Sequence, residues 1–309
     1  MEGEVSAVKI ISFGSLNVDH VYQMPRFVQP GETLSAAALS LHAGGKGLNQ
    51  SVAASRAGAE VIHGGAVGPD GDSLLEMLRS SGACADHVLR LDAPTGHAVI
   101  QVNPQGQNAI IVYGGANHGL TKEYIYGMLS LAQPGDLVLL QNETNAVADI
   151  IRLSAEKGLC VVFNPSPLPA NPDALPLHQV GILMVNEIEG ACLAGLGEDA
   201  PSEEVLKALR EKYPGCTVVL TLGSRGVMCA KDGQVYRHGI FQVDAVDTTA
   251  AGDTFCGYFL AGCCRGLPIP QCLKMACAAS AIAVSRPGAA PSIPDLAEVD
   301  NFLANQKEI

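Results

Sequence analysis

Six short apolar runs limit what this chain can fold into: Val8 to Phe13, Val61 to Gly64, Leu137 to Leu140, Leu159 to Phe163, Ile182 to Val185 and Val218 to Leu222. Near-continuous rather than alternating apolar character is the pattern of a strand covered on both faces. Between them, Gly47 to Ala57, Ser73 to Ser81, Ala146 to Lys157, Glu187 to Ala194 and Ser202 to Lys212 read as helices. This alternation predicts an α/β fold, a doubly wound and mostly parallel sheet with helices on both faces. Two stretches break it. Asp19 to Met24 with Glu32 to Leu41, and Thr95 to Asn103 with Asn108 to Tyr113 around Pro104-Gln105-Gly106, read as hairpin material without crossover helices. They predict a small β-sheet lid, contributed by about residues 17–42 and 95–114 of a single α/β domain over residues 1–309.

Composition narrows the function classes. With 309 residues, 48% hydrophobic and only 16% charged, the chain can bury a large core. Its formal net charge of -12 repels polyanions, so neither nucleic acid nor an anionic membrane is an expected partner, and any phosphate must be held locally. No apolar run approaches the ~20 residues of a membrane helix. Ten cysteines lack any C-x-x-C pair, and five of them (Cys256, Cys263, Cys264, Cys272, Cys277) lie in small-residue helical segments. That usage reads as reduced thiols in a cytoplasmic protein. The acidic start Met1-Glu2-Gly3-Glu4 lacks the form of a secretory signal, and the eight histidines show no metal-binding spacing.

The chemistry concentrates in Ala245-Val246-Asp247-Thr248-Thr249-Ala250-Ala251-Gly252-Asp253-Thr254-Phe255. A β-branched run, Gln242 to Val246, gives way to small residues and then to a helix, whose first amides have no intrahelical partner. The amides of Ala251, Gly252 and Asp253 therefore suit a phosphate. A carboxylate in the same turn repels that anion but can take the proton of an attacking hydroxyl, so Asp253 is a candidate general base; the alternative is a plain helix cap. Asn17 and Asp19 follow the first strand, at the end where open α/β sheets bind ligands. In His42-Ala43-Gly44-Gly45-Lys46-Gly47-Leu48-Asn49 the spacing is not that of a P-loop. Gly45 and Gly47 instead let the main chain approach a polyol, with Lys46 and Asn49 as donors. Glu143 occupies another strand end, with a capping or surface acid as the alternative. Asn186 and Glu189, at i, i+3 spacing, suit hydrated Mg2+ held through waters. Thr221, Gly223, Ser224, Arg225 and Gly226 form a glycine-rich strand exit suited to a nucleotide, whereas Gly195-Leu196-Gly197 follows a helix and reads as its stop.

Taken in order, these fragments resemble the ribokinase-like carbohydrate kinase family from Gly14 to Pro294. The specific stretches are Gly44-Gly45-Lys46-Gly47-x-Asn49 and Asp247-Thr248-x-Ala250-Ala251-Gly252-Asp253-Thr254-Phe255. The resemblance implies ATP-dependent phosphorylation of a primary sugar hydroxyl, that of D-ribose. It implies that Asn17, Asp19, Gly45, Lys46, Gly47, Asn49 and Glu143 hold the sugar, that Asp253 is the base, and that the amides of Ala251 and Gly252 form the anion hole. Asn186 and Glu189 match an element that influences Mg2+ and phosphate, Thr221 to Gly226 match a nucleotide-binding stretch, and Cys277 lies toward the adenine. A K+ activator is implied on Asp247, Thr249, Ala283, Arg286, Gly288 and Ser292, and pairing through the lid implies a homodimer. Ala250 replaces the family's usual glycine, and polar Asn142 and Asn145 flank Glu143, which bears on the choice of sugar. Another sugar or a nucleoside as acceptor stays open, as does a catalytically silent binding regulator.

Overall fold

In the computed structural model, which describes residues 8–306, the first strand lies one in from an edge of the main sheet. β1 (Lys9–Phe13) leads at once into β2 (Asn17–Gln23) and β3 (Ala38–Gly44) of a second sheet, then α1 (Lys46–Arg56) and β4 (Glu60–Gly64). The two-residue β5 (Ala66–Val67), α2 (Asp72–Ser80) and β6 (Leu89–Arg90) precede β7 (Gly96–Val102) and β8 (Asn108–Tyr113). Next come α3 (Lys122–Leu129), β9 (Leu137–Gln141), α4 (Val147–Glu156), β10 (Cys160–Asn164), β11 (Ile182–Asn186), α5 (Glu187–Ala194), α6 (Ser202–Lys212) and β12 (Thr217–Thr221). β13 (Val227–Lys231) and β14 (Gln234–His238) close the main sheet, and α7 (Ala251–Cys264), α8 (Ile269–Val284) and α9 (Leu296–Asn305) complete the chain.

The main sheet has the order β14-β13-β12-β11-β10-β9-β1-β4, parallel except at the β12–β13–β14 end. From β1 the chain builds outward first to β4 and later, through β9, in the other direction. The switch point lies between β1 and β9, which is where such sheets open a ligand crevice at their carboxyl ends. Successive strand residues face opposite ways. Ile10, Leu137, Leu139 and Val162 join a core under α1, α2, α7, α8 and α9, while Ile11, Val138, Leu140 and Phe163 join a core under α3 to α6. Both faces are covered, as the runs of apolar residues predict. At ~1.5–3 kcal/mol per fully buried large apolar side chain, these two clusters supply most of the favourable folding energy.

α7 is apolar all round and made largely of small residues, as a helix buried on every side requires. It crosses α1 closely: a Cβ on Gly257 would come within 2.4 Å of the Ala53 Cβ. Ser280 of α8 donates to the Ala251 carbonyl (2.8 Å), tying the start of α7 to α8.

The second sheet, order β3-β2-β7-β8, is the expected lid strand set, with β2 and β7 parallel at its centre. Two expectations need correction. The strand expected from Glu32 starts only at Ala38, because Glu32 turns back to pair with Arg26 and accepts the Gln29 amide at 3.1 Å. The run Gln242 to Val246 lies in no strand. Instead the Val246 and Asp247 amides donate to Val284 at the end of α8 (2.7 and 3.1 Å). The β13–β14 hairpin, turning at Asp232-Gly233, was not anticipated. The acidic N-terminal residues 1–4 lie outside the described residues, and all ten cysteines are unpaired.

Candidate active site

The residues expected to hold a sugar converge where the small sheet meets the switch point. Asn17 opens β2, and its Oδ1 accepts from Asn117 Nδ2 at 2.8 Å, while Asn117 Oδ1 receives the Leu16 amide. The Gly44-Gly45 turn has Gly45 at φ 96°, and any Cβ on Gly44 would sit 2.1 Å from Asp19 Oδ2, so the backbone passes directly beside that carboxylate. Glu143 clamps the loop: its Oε2 accepts the Lys46 amide at 3.0 Å and the Ser15 hydroxyl, and Ser15 Oγ in turn accepts the Gly47 amide at 3.1 Å. Burial, with help from the Glu143 charge, pushes the Asp19 carboxyl up to about 7. Burial also raises Glu143, against the hydrogen bonds from Ser15 and Lys46. For the Lys46 ammonium burial acts downward, but Asp253, Glu143 and Glu189 outweigh it and hold its pKa above the usual lysine value.

Asp253 sits in the first turn of α7 and is 7% exposed. The capping alternative fails: Ala250, in a left-handed conformation, is the N-cap, and Asp253 points away from its own helix. Its Oδ2 accepts from Asn49 Nδ2 (3.0 Å) and its Oδ1 from Gln50 Nε2 (2.9 Å), both on α1. Asn49 Oδ1 is buried without a partner, a free acceptor beside the carboxylate. The Ala251 amide makes a long bond to Thr248 O (3.3 Å), whereas the Gly252 and Asp253 amides have no carbonyl partner among the described residues. This helix start is the anion-binding geometry expected from sequence.

Two cavities meet there. One, of about 230 Å³, is walled by Lys46, Asn186, Glu189, Gly252 and Asp253; the other, of about 370 Å³, by Gly223, Ser224, Gly226, Phe241 and Cys277. Thr221, Thr248, Ala251, Gly252 and Phe255 line both, so the α7 start is their common wall. The larger is mostly apolar, which suits a base, and burial pushes the Cys277 thiol on its wall up to about 12.

Residues 7–296 match the family model described as pfkB family carbohydrate kinase. The chain is 35% identical over 297 residues to the ribokinase of Haemophilus influenzae, spanning 94% of this chain and 96% of that one. It is 34% identical over 317 residues to the ribokinase of Schizosaccharomyces pombe, covering 97% and 99%. This chain is a pfkB-family carbohydrate kinase. Among solved structures, it superposes on a ribokinase of Cryptococcus neoformans in complex with ADP at a TM-score of 0.85 (33% identity, 96% and 99% covered). A ribokinase of Arabidopsis thaliana complexed with ribose and ATP gives 0.85 as well (29% identity, 97% and 100% covered).

Other expected residues in this carbohydrate kinase are placed less simply. Asn186 and Glu189 line the smaller cavity, but toward each other they form a capping box: Asn186 Oδ1 accepts the Glu189 amide (2.8 Å) and Glu189 Oε2 the Asn186 amide (3.0 Å). Only the second Glu189 oxygen stays uncommitted, and no group of three acidic, His or Cys side chains that could hold a metal occurs among the described residues. The set fits a hydrated cation rather than direct chelation. Arg225 is not in the wall of the larger cavity; its guanidinium pairs with Glu187 and reaches Ser202 Oγ at 3.3 Å. Of the cation set, Asp247, Thr249 and Gly288 come together: Oδ1 accepts the Thr249 amide and hydroxyl (2.9 and 2.6 Å) and Oδ2 the Gly288 amide (2.9 Å). Burial opposes ionisation of Asp247, but these bonds outweigh it and hold the carboxyl below its usual value. Ser292 Oγ turns to the Ala289 carbonyl (2.8 Å), the Ala283 carbonyl accepts the Arg286 amide (3.1 Å), and the Arg286 side chain pairs with Glu298. Asn142 and Asn145 bridge loops, to Pro167 O (2.7 Å) and to Leu120, and so are committed to holding backbone. Sequence reasoning missed Ser15, Gln50, Asn117 and Asn164, whose positions in the motifs carry no sign of their tertiary partners.

Proposed function

We infer that this carbohydrate kinase transfers the γ-phosphoryl group of ATP to the primary hydroxyl of D-ribose, forming ribose 5-phosphate. One arrangement carries the reading: Asp253, at the helix start shared by both cavities, is hydrogen-bonded to the helix that continues the sugar-side loop. The nucleotide base rests in the larger cavity against Gly223, Ser224, Gly226 and Cys277, and its phosphates extend over Thr221, Ala251 and Gly252. Asn17, Asp19, Gly45, Lys46, Gly47, Asn49 and Glu143 orient the sugar. Asp19 accepts its hydroxyls as a carboxylate, and the free Asn49 acceptor takes another. Asp253 then accepts the proton of the attacking hydroxyl, while the Gly252 amide and Lys46 stabilise charge on the moving phosphoryl oxygens.

Glu189 and Asn186 are the residues that would hold a hydrated Mg2+, which neutralises phosphate charge when bound. The side chains of Asp247 and Ser292, with the carbonyls of Thr249, Ala283, Arg286 and Gly288, would offer the hard oxygen donors K+ prefers. Leu39, Leu41, Ile110, Ile111, Val112 and Tyr113 are exposed on the lid, which supports a homodimer paired through that sheet and a lid that closes as part of one domain. Ten unpaired cysteines support a cytoplasmic setting. The test is Asp253→Asn: turnover of ribose should fall by ~10²- to 10⁴-fold with ADP binding by calorimetry retained, and full activity would reject the assignment.

A further inference from the structure

The Gln50 side chain is completely buried, and all of its polar capacity is used. Its Nε2 donates to Asp253 Oδ1 (2.9 Å) and to Asn164 Oδ1 (3.1 Å). Its Oε1 accepts from Gln141 Nε2 (2.7 Å) and from the Cys256 thiol (3.5 Å). Asn164 is itself held by donating to the Met184 carbonyl (2.9 Å). A bonded chain of amides therefore runs from β9 and β10, through α1, to one oxygen of Asp253. Asn49 is different: it makes one bond to Asp253, and its own acceptor has no partner. When a sugar engages Asn49, the bond to Oδ2 is the one exposed to competition, while the bond to Oδ1 has no reason to change.

We propose that Gln50 is a positioning residue for phosphoryl transfer: it pins Oδ1 of Asp253 so that Oδ2 faces the acceptor hydroxyl when Asn49 turns to the sugar. The proposal rests on Asp253 being the base and adds the group that aims it. A buried amide network is costly unless its members are satisfied; Gln50 is fully bonded, whereas Gln141 Oε1 at the far end has no partner. A purely structural role would predict the same bonds, so the distinction must come from chemistry at Asp253. An amide donor favours the charged carboxylate over the neutral acid. The other charged or titratable groups facing Asp253 are Lys46 from α1, Glu143 from the loop after β9, Glu189 beyond Lys46 on α5, and Cys256 on its own helix. Of these only Cys256 also touches Gln50, through the thiol bond to Oε1.

The experiment compares full-length wild type, Gln50→Met, Gln50→Glu and Asp253→Asn by steady-state kinetics with ribose and MgATP, with ADP binding and thermal melting as folding controls. For Gln50→Met the expected result is a kcat about tenfold lower or more, with the KM for ribose within about threefold, as expected for a group acting on the chemical step. Gln50→Glu keeps the shape and the Gln141 bond but sets a second carboxyl against Asp253, so its kcat should fall further. An unchanged kcat, or a loss of kcat/KM carried mainly by the KM for ribose, would overturn the proposal. If Gln50→Met does not fold, Gln141→Met loosens the same amide without touching Asp253, and wild-type kcat there would overturn it equally. Asp253→Asn separates the two layers. Full activity in that variant rejects the base, whereas an inactive Asp253→Asn beside a wild-type-like Gln50→Met rejects the role of Gln50 alone.

Discussion

Replacing Asp19 by Asn should stabilise the folded chain while removing its ability to hold sugar, and the size of the gain follows from where that carboxyl sits. Burial first, and the Glu143 charge second, raise it from 3.8 to about 7. A carboxyl raised in this way holds its proton more tightly in the folded chain than in the unfolded one. Its contribution to stability is therefore complete below the ordinary value near 3.8 and is lost as pH rises through 7. The window covers about three pH units, and at ~1.4 kcal/mol per unit the charged form opposes folding by at most about 4 kcal/mol above pH 7. Urea denaturation of wild type and Asp19→Asn at intervals from pH 4 to pH 8 measures this directly. The two stabilities should nearly coincide at the acid end and diverge toward pH 8, with the variant higher by about 2–4 kcal/mol. Saturating ribose should then raise the melting temperature of wild type only. Stability curves that stay parallel across the whole range would show that the carboxyl is not held in the environment described here.

Three further outcomes can be measured. Gly257→Val should destabilise the protein by about 1–3 kcal/mol and lower kcat, since its side chain enters the α1–α7 contact that brings Asn49 and Gln50 to Asp253; urea denaturation and turnover together check it. Exchanging K+ for a large organic cation should lower activity, and Asp247→Ala should remove that dependence, read by ADP release in each salt. Ile111→Lys on the exposed lid strand should shift the protein from dimer to monomer in light scattering, and an unchanged mass would count against pairing through that face.

The main sheet was legible because its strands are buried on both faces, so apolar runs alone mark them to within a residue or so. β13 and β14 form an antiparallel hairpin with no crossover helix, so strand–helix alternation does not mark them, although Asp232-Gly233 is a hairpin turn signal. The start of β3 was misjudged for a local electrostatic reason, the pairing of Glu32 back to Arg26. At the site, Asp253, Asn49 and Lys46 could be named since they stand in short dense motifs. Gln50, Asn164 and Gln141 could not, because a buried amide looks the same in sequence whether it meets a carboxylate or a backbone carbonyl. Arg225 differs for the opposite reason: its neighbours Gly223, Ser224 and Gly226 line the larger cavity, yet the acid at position 187 draws its side chain aside.

The lid is built from two excursions, residues 17–44 and 96–113, each leaving the main sheet and returning to it. Their roots carry Asn17, Asp19 and Gly44, while their tips, near Gly31 and Gly106, have nothing packed within 4 Å. Such wiring separates two tolerances within one small sheet. The chain can be lengthened, tagged or opened into new termini at the tips, but near the roots even a one-residue insertion would rotate the Asn17 and Asp19 side chains to the opposite side of their strand.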